Sequence, residues 1–309
     1  MANGRVLTFD VGGSHVSAAV CLGSDYRLGP VVSAHYDAVE TSDGFVNLLC
    51  RLGVEAAAGC DDGMGAALAV PGPFNFQAGI SLMRHKLPYL YGVDLRQALA
   101  ARLGCEPDQV RFLNDAAAFL LGEIGAGAAR GFSRAVGFTL GTGIGSAFAV
   151  NGKLVTEGPG VPPGGEIWNV PYESGMVEDC VSSRAIAGHY ERSTGQTRSV
   201  AELAAAATHD RAAAEAFAEF GRHLGRVLNT LLADFRADVA VLGGGISRSP
   251  QLFLPATRSQ LRNGSVELRV SELMDRAPLV GCGVAWFDGA GSPSDIVHVA
   301  STPNGASPA

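Results

Sequence analysis

Strands alternating with helices along 309 residues predict an α/β protein whose sheets are largely covered by helices. Three observations carry that expectation. VLTFDVGGSHVSAAV (6 to 20) and AVGFTLGTGIGSAFAV (135 to 150) each place β-branched and aromatic residues around glycines, and read as strand, glycine turn, strand. Shorter apolar runs such as MGAALAV, VRFL and DVAVL recur between segments of helical pattern. A shift of 130 positions superposes Val6 on Val136, Gly13 on Gly143, Ala19 on Ala149 and Val20 on Val150. This suggests two halves, each opening with a hairpin whose turn can approach a ligand closely.

In chain order, the first hairpin is followed by a helix over 41 to 59, with Ser42 as its N-cap. Residues 64 to 70 read as a buried strand, 94 to 103 as a capped helix, and 110 to 113 as a strand running into a helix at 115 to 124. VNGK (150 to 153) is an Asn-Gly hairpin turn. Helices are expected near 178 to 190, 199 to 207 and 210 to 235. DVAVLGGGIS (238 to 247) reads as strand, glycine loop and helix start, and APLVGCGVAWF (277 to 287) as the last helix. Residues 289 to 309, rich in Gly, Ser and Pro, predict a frayed tail.

Composition narrows the classes. With 47% hydrophobic and 17% charged residues the chain reads as compact and soluble. A net charge of −7 and scattered Lys and Arg argue against a nucleic-acid surface, so a phosphate ligand would rely on backbone amides and a metal. No apolar run approaches the roughly 20 residues of a membrane span, and the first ten residues lack a signal-peptide pattern. Six cysteines without CxC or CxxC spacing predict reduced thiols in a cytoplasmic protein.

Three glycine clusters follow apolar strands: Gly12-Gly13, Gly141/Gly143/Gly145 and Gly243-Gly244-Gly245. A dinucleotide fingerprint needs GxGxxG opening a helix, whereas GTGIG leads into a strand, and no GxxxxGK[ST] loop is present. Each cluster alone can be a tight turn; three together point to a nucleotide. Asp10-Val11-Gly12-Gly13, Asn114-Asp115, LGTGIG and VLGGGIS, in this order, resemble the sugar kinases of the ROK family (repressors, open reading frames, kinases) over about residues 5 to 288.

The resemblance implies the actin-like, hexokinase-like (ribonuclease H-like) ATPase fold, with two α/β lobes closing on ATP and a sugar. It places the N-terminal lobe at 1–113, joined by the last helix at about 277–288, the C-terminal lobe at 114–276 and the tail at 289–309. It also implies ATP and Mg2+ as cofactors, a hexose phosphorylated at its 6-hydroxyl, no nucleic-acid or membrane partner, and a homodimer. Glucose is the first choice; fructose, mannose, allose and an N-acylhexosamine stay open, as does polyphosphate as donor.

Phosphoryl transfer requires positioning, charge neutralisation and a base for the acceptor's proton. On the resemblance, Asp115 is the base, and Asn114 beside it holds an adjacent hydroxyl or caps the following helix. Asp10 faces Mg2+, through water. Amides around Gly12 and Gly13, and those of Thr139, Gly141, Thr142 and Gly143, cradle phosphates, with the Thr142 hydroxyl added. Gly243, Gly244 and Gly245 form the adenosine loop, or a plain strand-to-helix turn. Gly72 and Asn75, in AVPGPFN, border the sugar. Lys86 and His85 read as surface residues, and His15 lies in the first glycine hairpin.

GGEIWNVPYESGMVEDC (164 to 180) matches the family's sugar-binding segment with departures. Glu166 and Glu178 match its two glutamates, which accept hydrogen bonds from sugar hydroxyls. Asn169 stands in place of the histidine, Trp168 in place of glycine, and Cys180 in place of a cysteine trio. Zinc needs three or four N or S ligands, so no structural zinc is expected; Trp168, Pro171 and Tyr172 are expected to fill the space by packing, and Asn169 to bond a hydroxyl. Two other classes compete. A sugar-responsive repressor needs a helix-turn-helix domain ahead of the first hairpin, where only about nine residues precede Asp10. A sugar sensor without catalysis has no need of Asp115 and Asp10.

Overall fold

The computed structural model describes residues 4–58, 64–84, 86–262, 264 and 266–289. His85 and the expected tail beyond Gly289 lie outside them. The first hairpin is β1 (Arg5–Val11) and β2 (His15–Leu22), closed where Val11 pairs Val16. β3 (Arg27–Leu28) and β4 (Val32–His35) both pair β2. α1 (Ser42–Ala57) then leads to β5 (Ala66–Val70), which runs parallel to β1. A small hairpin of β6 (Phe74–Asn75) and β7 (Ile80–Ser81), then α2 (Leu95–Leu103), precede β8 (Val110–Asn114), parallel to β5, and α3 (Asp115–Ala126). The sheet order is β3-β2-β1-β5-β8. β5 is buried at every position, which is why its sequence, AALAV, shows no polar alternation.

Capping chemistry sets the helix starts. Asp94 caps α2 by accepting from Gln97 N. On α1 the cap is Thr41 instead of the expected Ser42: Thr41 is extended (φ −132°) and its Oγ1 accepts from Gly44 N at 3.1 Å. Ser42 already has the helical backbone, so its hydroxyl cannot reach back to those amides.

The second half opens with β9 (Arg134–Leu140) and β10 (Ile144–Val150). β11 (Lys153–Val155) follows the Asn151-Gly152 turn, where both residues have positive φ (50° and 78°), as an Asn-Gly hairpin turn requires. Next come β12 (Pro171–Tyr172), β13 (Gly175–Met176), α4 (Val177–Cys180), α5 (Ser183–Thr194), α6 (Val200–Ala206) and α7 (Arg211–Phe235). The single helix expected near 178 to 190 is two, because Ser182 is extended (φ −159°) and caps α5. β14 (Val239–Gly243), a 3-10 turn at Gly245–Arg248, α8 (Pro250–Gln260) and β15 (Glu267–Val270) complete a sheet of order β11-β10-β9-β14-β15.

Both sheets thus share one plan: a hairpin whose first strand pairs, on its other side, with a parallel strand. The repeat is real, but its offset is not 130. Arg5 pairs Leu22 as Arg134 pairs Val150, so the first strands are 129 positions apart. The turn from Leu140 to Ile144 is one residue shorter than that from Val11 to Val16, which places the second strands 128 apart. A one-residue slip exchanges the two faces of a strand; in the observed register Phe9 matches Phe138, both fully buried, and Asp10 matches Thr139.

α9 (Ala277–Phe287) belongs with the first half. One compact unit runs to Phe132 and resumes at Ser271; the other runs from Ser133 to Val270. The division therefore falls after Phe132 and not after Leu113, because α3 packs along α9. Two glycines allow that approach: a Cβ on Gly281 would stand 1.8 Å from Ala118 O, and one on Gly122 would stand 2.0 Å from Ala277 O. The first unit's crossover segments meet at the fully buried Glu123. Its carboxylate accepts from Ala128 N (2.7 Å), Leu273 N (3.1 Å) and the Ser271 hydroxyl. Among the described residues Cys21, Cys50, Cys105, Cys180 and Cys282 are free thiols, and no helix is long and apolar enough to cross a membrane.

Candidate active site

In the first unit β1, β5 and β8 are parallel, so their carboxyl ends share one sheet edge, where ligands of α/β sheets bind. Asp10 is paired with Ala69 across β1 and β5, and Val70 with Asn114 across β5 and β8. That brings Asp10, the loop at Gly72 and the Asn114-Asp115 pair to the same edge. Asn114 does cap α3: its Oδ1 accepts from Ala116 N (3.0 Å) and Ala117 N (3.2 Å). The capping oxygen is therefore engaged, and what Asn114 can offer a ligand is its amide NH2. Asp115 is the first helical residue, with Oδ1 accepting from Ala116 N at 2.9 Å, where the helix dipole favours a carboxylate.

Gly12 N donates to His15 O at 2.9 Å, closing the hairpin, while the space above Gly13 is open. The His15 ring lies 6.1 Å from that of His35, in the strand pairing. Asn75 is exposed, and its Oδ1 accepts from Ala78 N at 3.0 Å within the β6-β7 turn; Lys86 is exposed.

Burial, and after it the charges of Asp115 and Asp275, push the Asp10 carboxyl up to about 7. Asp275, on the 3-10 turn ahead of α9, was not singled out from the sequence; its one signal there is an acid just before an apolar helix. Among the described residues no group of three or more His, Cys, Asp or Glu is placed to hold a metal ion unaided. A hard cation fits beside Asp10 only with phosphate oxygens and water completing its shell, and its charge would relieve the crowding that raises the Asp10 pKa.

This has a pH signature without metal. Between about pH 4 and 7 folded Asp10 keeps a proton that the unfolded chain releases, so its contribution to stability declines as pH rises through that window. Asp10→Asn is expected to melt several degrees above the wild type at pH 8, since a rise from 3.8 to about 7 corresponds to on the order of 4 kcal/mol, with the gap less than half as large at pH 5. Thermal scans in chelator at both pH values check this; equal melting at pH 8 would refute it.

In the second unit Thr139 is paired with Gly243 at the carboxyl ends of β9 and β14. The turn between β9 and β10 is held by Gly141 N to Gly143 O (3.0 Å), and by Ser183, whose N and Oγ both donate to Gly141 O. Thr142 is exposed at its tip. Gly243, Gly244 and Gly245 lead into the 3-10 turn, where the Ser247 hydroxyl donates to Gly243 O at 2.7 Å.

Glu178 sits directly on this turn. Its Oε2 accepts from Ile144 N (3.3 Å), its Oε1 from Arg184 (2.9 Å), and a Cβ on Gly143 would stand 2.1 Å from Oε2. Glycine at 143 lets the carboxylate lie against the turn, and a Cβ there would displace the end of Glu178, a link between LGTGIG and the 164 to 180 segment that spacing alone does not reveal. Arg184 follows a break between helices, so no helical periodicity pairs it with Glu178. Each carboxylate oxygen keeps a further lone-pair direction for a hydroxyl.

Glu166 and Asn169 are exposed. The Trp168 indole Nε1 donates to Glu166 Oε2 at 2.8 Å, and Glu178 N donates to Trp168 O at 3.2 Å, so Trp168 links the two glutamates. Ser146 on β10 fastens this segment, donating to Gly165 O (2.7 Å) and accepting from Ile167 N (3.1 Å). The expected packing is met by Tyr172, which is half-buried against the core and bonds His223 Nδ1 at 2.9 Å, and is corrected for Trp168 and Pro171, which are exposed. Ile167 and Val177 fill the core instead, each 1% exposed.

Residues 6–287 match the family model described as the ROK family. The chain is similar to a glucokinase of Thermotoga maritima, 27% identical over 243 residues that cover 68% of this chain and 75% of that protein. It is similar to an N-acetyl-D-glucosamine kinase of Escherichia coli O127:H6, 27% identical over 268 residues covering 79% and 85%. A solved ROK family glucokinase from Streptomyces griseus, in complex with glucose and AMPPNP, superposes with a TM-score of 0.73 at 22% identity, over 91% of this chain and 98% of that one. That likeness shows the actin-like, hexokinase-like α/β fold.

Proposed function

The chain belongs to the ROK family, and from that premise we propose that it transfers the γ-phosphoryl group of ATP to the 6-hydroxyl of a hexose, glucose being the first choice. The observation that carries this reading is Asp115, opening α3 just past the end of β8, on the same sheet edge as Asp10 and in electrostatic contact with it.

Asp115 accepts the proton of the primary hydroxyl as that oxygen attacks phosphorus. Mg2+ and ATP, when bound, supply the phosphoryl group and neutralise its charge. Asp10 would hold the cation, through water. The turns at Gly12-Gly13 and at Thr139, Gly141, Thr142 and Gly143 face the phosphate oxygens with amides other than Gly12 N and Gly141 N, which the turns themselves engage, and Gly243, Gly244 and Gly245 lie along the adenosine. Glu166, Glu178, Asn169, the Asn114 amide and the loop holding Gly72 and Asn75 orient the sugar hydroxyls. Support for a sugar acceptor comes from relatives that carry glucokinase and N-acetylglucosamine kinase names.

The test is ADP release with ATP and Mg2+ against glucose, mannose, fructose, allose, N-acetylglucosamine and N-acetylmannosamine. Glucose is expected to show the highest kcat/KM. A preferred N-acetylhexosamine would move the assignment to that sugar class, and turnover of none would sink the reading.

A further inference from the structure

We propose that Trp168 contacts the substrate, its indole forming an aromatic wall against which the C–H face of the hexose ring rests. The inference builds on the sugar-kinase reading above. Trp168 is 45% exposed while its neighbour Ile167 is 1% exposed, so this segment has a core to pack into and turns the larger residue out of it. A single exposed apolar side chain is ordinary on a protein surface; the bonds around this one are not. Nε1 donates to the Glu166 carboxylate at 2.8 Å, and the Trp168 carbonyl accepts from Glu178 N at 3.2 Å. One residue is thereby tied to both glutamates assigned to the sugar. Ser146 fixes the backbone just ahead of Trp168, at Gly165 and Ile167, and the Glu166 bond holds the indole, so the ring has less rotamer freedom left to lose on binding.

The chemistry is complementary. A pyranose carries hydroxyls around its rim and C–H groups on its faces. Carboxylates read the rim, and an aromatic face takes up the C–H patch, excluding water and strengthening the adjoining hydrogen bonds. A hexose that turns a hydroxyl toward the ring would leave that oxygen without a partner, so the indole also discriminates among epimers.

The test compares Trp168→Ala and Trp168→Phe with the wild type in the full chain, by hexose KM and kcat at saturating ATP and by indole emission during hexose titration. Trp168→Ala is expected to raise the hexose KM about tenfold with kcat within about twofold. Trp168→Phe keeps a ring and is expected to stay within about threefold of the wild-type KM, while the hexose-induced emission change of the wild type disappears. A wild-type KM in Trp168→Ala overturns the proposal. So does a Trp168→Phe as impaired as Trp168→Ala, which would assign the effect to the Glu166 bond. A wild type that neither binds nor turns over any hexose brings down the kinase reading and this one together; an active wild type with an indifferent Trp168→Ala brings down this one alone.

Discussion

Asp115→Asn is expected to lower kcat on the preferred hexose by about a hundredfold to ten-thousandfold, the range a positioned base supplies. Hexose KM and melting temperature should stay close to the wild type. The substitution keeps side-chain volume and an oxygen that can accept from Ala116 N, so the start of α3 is retained while the proton acceptor is lost. Measuring ADP release and thermal denaturation on the same preparation separates the roles. Turnover within about threefold of the wild type would remove Asp115 as the base and leave it a helix-start residue.

Glu123→Ala is expected to cost on the order of 3–5 kcal/mol of folding stability, because deletion strands several buried donors at once. The Ser271 hydroxyl, Ala128 N and Leu273 N all end on this carboxylate, and Glu123 itself is fully buried. Glu123→Gln keeps one acceptor oxygen and the side-chain shape, so its loss should be smaller. Urea denaturation of the three proteins checks the order; an alanine variant within about 1 kcal/mol of the wild type would mean that the loops re-pair their donors with water.

Much of the candidate site was readable because each of its parts carries a local signal. Asp10 before Gly12-Gly13, Asn114-Asp115 after an apolar strand, and three glycine clusters after strands are short-range patterns, and strand-then-turn chemistry places them at sheet ends. Asn114 shows the limit of such signals. Capping and the proposed sugar contact call for the same residue type at the same position, and only hydrogen-bond geometry shows that its oxygen is engaged by Ala116 and Ala117. The repeat was visible as similarity, but its register was not, since a turn shorter by one residue moves two strands by different amounts.

What the sequence by itself determined is the α/β alternation, the order of the motifs and the residue types offered to a phosphate and a sugar, because periodicity, capping and glycine turns are written within a few residues of one another. Only the tertiary structure decided that α3 lies with α9, that the Glu178 carboxylate lies against Gly143, and that Trp168 turns outward to bond Glu166. These depend on residues tens to more than a hundred positions apart, or on which of two neighbours takes the core. Close packing resolves that choice, and no local pattern encodes it.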